Sequence, residues 1–179
     1  KYAPAEGGVM LQTEDEISAC TMAIGAAYAG ARAFTATAGP GLSLMAEAIG
    51  LAEMTETPLV VIDTQRGGPS TGLPTKHEQS DLMAAIYNTH GDTAKIVISP
   101  SSIEESFYDT FEAFNLAEEY QCPVIVLSDL QLSLGKQSVT SLDYGKLQVR
   151  RGKLVKDGLP EIKSPEYFKP VSYTHLRAH

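Results

Sequence analysis

The chain has 179 residues, 43% of them hydrophobic, enough for one core of ordinary domain size but not for two full domains. Fourteen Lys and Arg against 22 Asp and Glu give a net charge of −8; a surface of that sign repels phosphate backbones and excludes nucleic acid as the main ligand. No apolar run approaches the roughly eighteen residues needed to cross a bilayer, so no membrane partner is expected. Cys20 and Cys122 form no CxxC, which excludes a zinc ribbon or an iron–sulfur ligand set on this chain. The start, Lys1-Tyr2-Ala3-Pro4, lacks Met, a signal peptide and a transit peptide. The expectation is a cytoplasmic fragment.

Short β-branched runs alternate with helix-like stretches. Val9-Met10-Leu11-Gln12 reads as a first short strand. From Thr13 to Ala31, Ile17, Cys20, Ile24, Ala27 and Tyr28 recur at helical spacing, with Glu14, Asp15 and Glu16 in the first turn. That stretch is so rich in Ala and Gly that a buried helix is expected. Ala33–Thr37 is the next strand, ended by Gly39-Pro40-Gly41, and a helix runs from about Leu42 to Met54.

Leu59–Asp63, following Pro58, is an unbroken apolar run, the mark of a strand buried on both faces. A long polar loop, Thr64 to Lys76, comes next. Gln79–Tyr87 is helical and Ala94–Ile98 is a strand. Ser102 with Glu105 fits a capping box opening a helix whose Ile103, Phe107, Phe111 and Phe114 share one face. Pro123–Leu127 is the fifth strand.

Five strands separated by helices predict an α/β fold with a doubly wound parallel sheet. Ligands bind such sheets at the carboxyl ends of strands. Three places qualify: Gly39 to Gly41, the Thr64–Lys76 loop and the Ser128–Leu134 turn. Beyond Lys136 the alternation stops, so residues 1–135 form the domain and 136–170 an extension or linker towards a next domain.

Each candidate has a plain reading beside the functional one. Gly39-Pro40-Gly41 either presents backbone N–H groups to an anion or ring, or is an ordinary strand-to-helix turn. Gly67 and Gly72 have P-loop spacing, but Leu73-Pro74 stand where Lys and Ser/Thr are needed, which rejects a triphosphate site. Arg66 just follows a buried strand. It is either a surface charge or a carboxylate clamp, since a guanidinium grips a carboxylate through two parallel hydrogen bonds, and Thr71 could add a hydroxyl. Glu14, Asp15 and Glu16 suit a helix start, although the apolar residues after Glu16 would let one carboxyl be buried. His77 and His90 have no Ser or Cys arrangement around them and receive no role.

Three segments together resemble one family: Gln12-Thr13-Glu14-Asp15-Glu16-Ile17-Ser18-Ala19, Thr35-Ala36-Thr37-Ala38-Gly39-Pro40-Gly41-Leu42-Ser43-Leu44-Met45, and Gln65-Arg66-Gly67-Gly68-Pro69-Ser70-Thr71-Gly72-Leu73-Pro74-Thr75-Lys76. The family is the alpha subunit of the 2-oxoacid:ferredoxin oxidoreductases, with the 2-oxoglutarate type most similar within the wider pyruvate:ferredoxin group. The likeness runs from Val9 through Asp129 and more weakly to Lys169.

The resemblance implies the pyrimidine-binding domain of a thiamine diphosphate enzyme, its first strand missing. It implies decarboxylation of a 2-oxoacid, transfer of the acyl group to coenzyme A, and electrons to ferredoxin. Glu16 takes the place of the glutamate that contacts the cofactor's pyrimidine and shuttles its N1′ proton. Arg66 matches the substrate-carboxylate arginine and Thr71 a substrate-contacting threonine. Thr37, Gly39 and Gly41 lie beside the ring.

Some family features have no counterpart here. The upstream tyrosine-proline-isoleucine-threonine-proline segment is absent. So are the GDG-type diphosphate motif with its Mg2+ and the cysteines of a 4Fe–4S cluster, which the family carries on a partner beta subunit. The chain alone is therefore expected to be inactive, and residues 171–179 to be a non-native tail. The competing reading is a stand-alone small-ligand or interaction module on a flavodoxin-like sheet. A flavin or dinucleotide oxidoreductase domain lacks its glycine fingerprint and ribose-binding acid.

Overall fold

Two unbroken β-branched runs build the centre of the sheet, because only a strand covered on both faces tolerates apolar residues at consecutive positions. The structure, a computed structural model, describes residues 6–153. Its elements in chain order are α1 (Glu16–Tyr28), β1 (Phe34–Thr37), α2 (Gly39–Leu44), α3 (Ala46–Met54), β2 (Leu59–Gln65), α4 (Leu82–Tyr87), β3 (Ile96–Ile98), α5 (Ile103–Tyr120), β4 (Pro123–Asp129) and α6 (Leu130–Leu134). The four strands are parallel in the order β1-β2-β4-β3.

Alternate residues along β2 and β4 feed two cores. Leu59, Val61, Ile125 and Leu127 pack with Cys20, Ile24, Leu42, Met45 and Ile49 under α1 to α4. Val60, Val124 and Val126 pack with Ala113 and Ala117 of α5 on the other face. Helices on both faces make the sheet doubly wound, as expected.

The expected first strand, Val9–Gln12, is absent among the described residues. Residues 9–12 take no strand hydrogen bonds, and Val9, Met10 and Leu11 are 80%, 74% and 65% exposed. β-Propensity cannot make a strand without a neighbour to accept its N–H and C=O groups. The α1 expectation also changes, since only the stripe Cys20, Ala23, Ile24 and Ala27 is buried while Met22 and Tyr28 face outward. A helix lying on one side of a sheet buries only the residues three and four apart along that side.

The expected single helix from Leu42 to Met54 is two. α2 begins at Gly39, so the glycine turn is itself helical, and α3 follows after Met45. Ser102 caps α5 by accepting the Glu105 N–H at 3.1 Å, and Glu105 accepts in return from the Ser101 N–H. The α5 aromatics Phe107, Phe111 and Phe114 are only half-buried, because Ala113, Asn115, Ala117 and Glu118 form the face that meets the sheet and the returning chain.

Residues 136–153 run back along α5. The Asp143 N–H donates to the Tyr108 hydroxyl, Asn115 Nδ2 donates to the Gln148 carbonyl, and Arg150 pairs with Glu112 and Glu119. The remainder of the 136–170 extension and the 171–179 tail lie outside the described residues. Among the described residues no helix is long and apolar enough to cross a membrane.

Candidate functional site

The parallel register lines polar residues along the carboxyl ends of the strands, on the face under α1 to α4. Thr37 of β1 sits opposite Asp63 of β2, and Gln65 opposite Asp129 of β4. Every other position of these strands faces the same way, so the side that buries Val61 and Ile125 deeper in the sheet ends here in hydroxyl, amide and carboxyl groups.

Glu16 reaches this edge because it is the first residue of α1, directly after the cap residue Asp15. Asp15 is extended and its carboxylate accepts the Ser18 N–H at 2.7 Å, an N-cap bond that holds the Asp15 carboxyl below its usual pKa. Capping thus occupies Asp15 and leaves Glu16 for other work. Glu16 is half-buried rather than enclosed. Among the described residues its carboxylate has no hydrogen-bond or ion-pair partner.

Gly41 is where Glu16 meets Thr37. A methyl group at Gly41 would overlap Thr37 Oγ1 and lie 2.7 Å from Glu16 Cγ and 3.1 Å from Glu16 Oε1. Only glycine allows helix α2 to enter between them. The Gly41 N–H is not free to bind an anion, because it already donates to the Ala38 carbonyl at 2.7 Å. Thr37 Oγ1 makes only a long bond of 3.3 Å, to the Ala38 carbonyl.

The second half of the site comes from the loop after β2. Arg66 Nη1 donates to the backbone carbonyl of Thr71 at 2.8 Å, so these two residues are joined through the main chain, not through the Thr71 hydroxyl. The loop closes on itself where Gly67 bridges Leu73, and the Gly68 N–H donates to the Glu78 carboxylate at 3.1 Å. These main-chain groups are satisfied within the loop, which agrees with the rejection of a P-loop.

Asp81 joins the two halves. Its N–H donates to Gln65 Oε1 at 2.9 Å, and Gln65 Nε2 donates to the Ser128 carbonyl. Its Oδ2 lies 2.7 Å from where a Gly39 side chain would begin. Burial and the Glu78 charge raise the Asp81 pKa, against opposing effects from Asp63 and Arg66. Asp63, with no exposure at all, is pushed up to about 7 by burial and by the Asp81 carboxyl beside it.

His77 lies 3.4 Å from the Asp129 carboxylate and Gln79 donates to it at 2.6 Å. Burial raises the Asp129 pKa, but these groups and the Leu132 N–H outweigh it and bring the pKa below the usual value. A cleft of about 550 Å³ lies beside this cluster, between the ends of β3 and β4, and is lined by Gln79, Ser102, Asp129 and Lys136 rather than by Glu16 or Arg66. Both thiols, Cys20 and Cys122, are buried, and burial pushes each up to about 11. Among the described residues no three His, Cys, Asp or Glu side chains come together to hold a metal.

The structure brings Glu16, Thr37, Gly39 and Gly41 together, sets Arg66 at the end of β2 beside them, and adds Asp63, Gln65 and Asp81, which sequence reasoning did not single out. Asp63 carried one signal, a carboxylate that closes the apolar run Leu59–Ile62.

The parallel sheet with helices on both faces and polar residues at its strand ends defines an α/β domain. The model of the family described as pyruvate flavodoxin/ferredoxin oxidoreductase, thiamine diP-bdg (thiamine diphosphate-binding), matches residues 1–175, and the chain belongs to that family. It is 50% identical over 169 residues to the 2-oxoglutarate synthase subunit KorA of Methanothermobacter thermautotrophicus, covering 94% of this chain and 43% of that protein. It is 51% identical over 144 residues to 2-oxoacid:ferredoxin oxidoreductase 1, subunit alpha, of Aeropyrum pernix, covering 80% of this chain and 22% of the relative. A solved 2-oxoglutarate:ferredoxin oxidoreductase from Magnetococcus marinus, with 2-oxoglutarate, coenzyme A and succinyl-CoA bound, superposes with a TM-score of 0.72 at 55% identity, over 73% of this chain and 23% of that one. The chain thus spans less than half the length of these relatives.

Proposed function

We propose that this chain supplies the pyrimidine-binding half of a thiamine diphosphate site in a 2-oxoacid:ferredoxin oxidoreductase. Its substrate is 2-oxoglutarate. A beta subunit carries the diphosphate-binding domain, Mg2+ and a 4Fe–4S cluster, and ferredoxin and coenzyme A take the electrons and the acyl group. Family membership and the names of the relatives support this reading. The observation that carries it is the meeting of an unpartnered Glu16 carboxylate and a weakly bonded Thr37 hydroxyl over a glycine with no room for a side chain.

These residues fit a flat nitrogen heterocycle. Glycines at 39 and 41 keep side chains out of the turn, and Glu16 offers a free carboxyl oxygen to a ring nitrogen. When bound, thiamine diphosphate supplies a carbon nucleophile that takes up the charge left as a 2-oxoacid loses CO2. Glu16 holds and moves the proton at ring N1′, a general acid–base task. Thr37 and the Gly39–Gly41 turn orient the ring. Arg66 spends one N–H on the Thr71 carbonyl and keeps the rest of its fork for the substrate carboxylate, with the Thr71 hydroxyl as an added contact.

The test is reconstitution with the beta subunit. Acyl-CoA formation and ferredoxin reduction should require thiamine diphosphate, Mg2+ and a 2-oxoacid together. Glu16→Gln should retain cofactor yet slow hydrogen–deuterium exchange at its C2 by about 10²–10⁴-fold, whereas Glu14→Gln should not. Turnover without cofactor, or equal losses in the two variants, would overturn the reading.

A further inference from the structure

Asp63 stands apart from every other acid in the described chain. It is fully buried, and neither of its carboxyl oxygens receives a hydrogen bond from an N–H or a hydroxyl. Asp81 Oδ2 is likewise buried without a donor. The two carboxyls lie close enough for each to shift the other's proton affinity, and two carboxyls can bond to each other only if one of them carries a proton. With both ionised, like charges would face each other out of water, the arrangement a buried pair avoids by keeping one proton.

The pair is wired to the cofactor edge from both members. Asp63 sits opposite Thr37 in the β1–β2 register. Asp81 precedes the first residue of α4, is held to β2 through Gln65, and has its Oδ2 packed against Gly39. Separating the two carboxyls would therefore move the turn that carries Gly39 and Gly41.

We propose that Asp63 and Asp81 share a single proton and together act as a positioning pair, whose loss of that proton displaces the Gly39–Gly41 turn and weakens the cofactor site. The pair touches no ligand; it acts through the turn. The effect on cofactor rests on the function proposed above, while the shared proton and the moving turn do not.

The direction with pH follows from the surroundings. The charged groups that act on the pair are Glu78 from the following loop and Arg66 from the end of β2; Glu16 of α1 lies at Gly41, two residues along the turn from the Gly39 that Asp81 touches, and β4 presents Leu127 opposite Asp63. Burial and the neighbouring carboxyl raise the Asp63 pKa to about 7. A raised carboxyl pKa means the ordered, protonated form is complete at low pH and is lost as pH rises through that value.

The experiment uses the alpha–beta complex between about pH 6 and pH 9, a range that brackets the raised carboxyl. Infrared spectra at the acid end should show the carbonyl stretch of a protonated carboxyl that Asp63→Asn removes. Hydrogen exchange of the peptide around Gly39–Leu44, corrected for its intrinsic pH dependence, should rise as that band disappears. Thiamine diphosphate affinity should fall by up to about tenfold per pH unit above the transition. Asp63→Asn, which keeps a donor for Asp81, should hold both readouts at their acid-end values.

Absence of the band, or an Asp63→Asn variant that keeps the wild-type pH profiles, would overturn the proposal. A band whose titration leaves the turn's exchange unchanged would overturn the coupling. Should the complex bind no thiamine diphosphate at any pH, the functional reading fails, and the infrared and exchange results still decide the pair.

Discussion

Gly41→Ala tests the geometry of the site with one carbon atom. The added methyl overlaps Thr37 Oγ1, and its 2.7 Å to Glu16 Cγ is about 0.7 Å inside the 3.4 Å of ordinary contact. Gly41 is buried, so the strain has no outlet to solvent, and overpacking of this size costs about 1–3 kcal/mol of stability. The larger effect should fall on Glu16. A displacement approaching 1 Å at a reacting group costs up to about 10²-fold in rate, so kcat of the reconstituted complex should fall about ten- to a hundredfold. Gly25→Ala is the control, because nothing lies within 4 Å of its side-chain position in α1, and it should gain about 1 kcal/mol from helix propensity alone. Adding Thr37→Ala to Gly41→Ala removes the worst overlap, so the two substitutions should couple by about 0.5–3 kcal/mol in a double-mutant cycle. Wild-type kcat and cofactor affinity in Gly41→Ala would refute the claim that Glu16 and Thr37 work as a pair across this glycine.

Arg66→Ala should cost about 2–5 kcal/mol in kcat/KM, the range for breaking a hydrogen-bonded charge pair, and Arg66→Lys should restore the charge but not the two-pronged grip. Near-wild-type kinetics in Arg66→Ala would reduce Arg66 to a staple of its own loop. Thr71→Ala should cost less, about 1–2 kcal/mol, because the main-chain carbonyl that holds Arg66 survives the substitution. On the far side of the sheet, Arg32 donates to the buried Glu118 carboxylate at 2.7 Å and to Asn115 Oδ1 at 2.9 Å. Arg32→Ala strips a partner from a buried carboxylate and should lower stability by about 3–5 kcal/mol in urea unfolding. A loss under 1 kcal/mol would mean that Arg151, which also lies against Glu118, carries that charge alone.

Local signals in the sequence determined the start of α5 and the central strands. Asp15 and Ser102 cap helices because a short side chain can bond an N–H three residues on. Pro123–Leu127 and Leu59–Asp63 had to be central because their apolar residues are consecutive. The strand-end rule placed Gly39–Gly41 and Arg66 at one sheet edge, and family likeness added roles for Glu16 and Thr71. Tertiary structure alone decided the rest. Val9–Gln12 has strand propensity, but pairing is a property of two segments, and neither edge of the sheet takes it up. Asp63 reads in sequence as the end of an apolar strand. What makes it unlike any surface acid is the parallel register that sets it opposite Thr37 and the docking of α4 that brings Asp81 beside it. Caps and propensities act over a few residues, whereas burial and the approach of distant charges exist only once the sheet is packed.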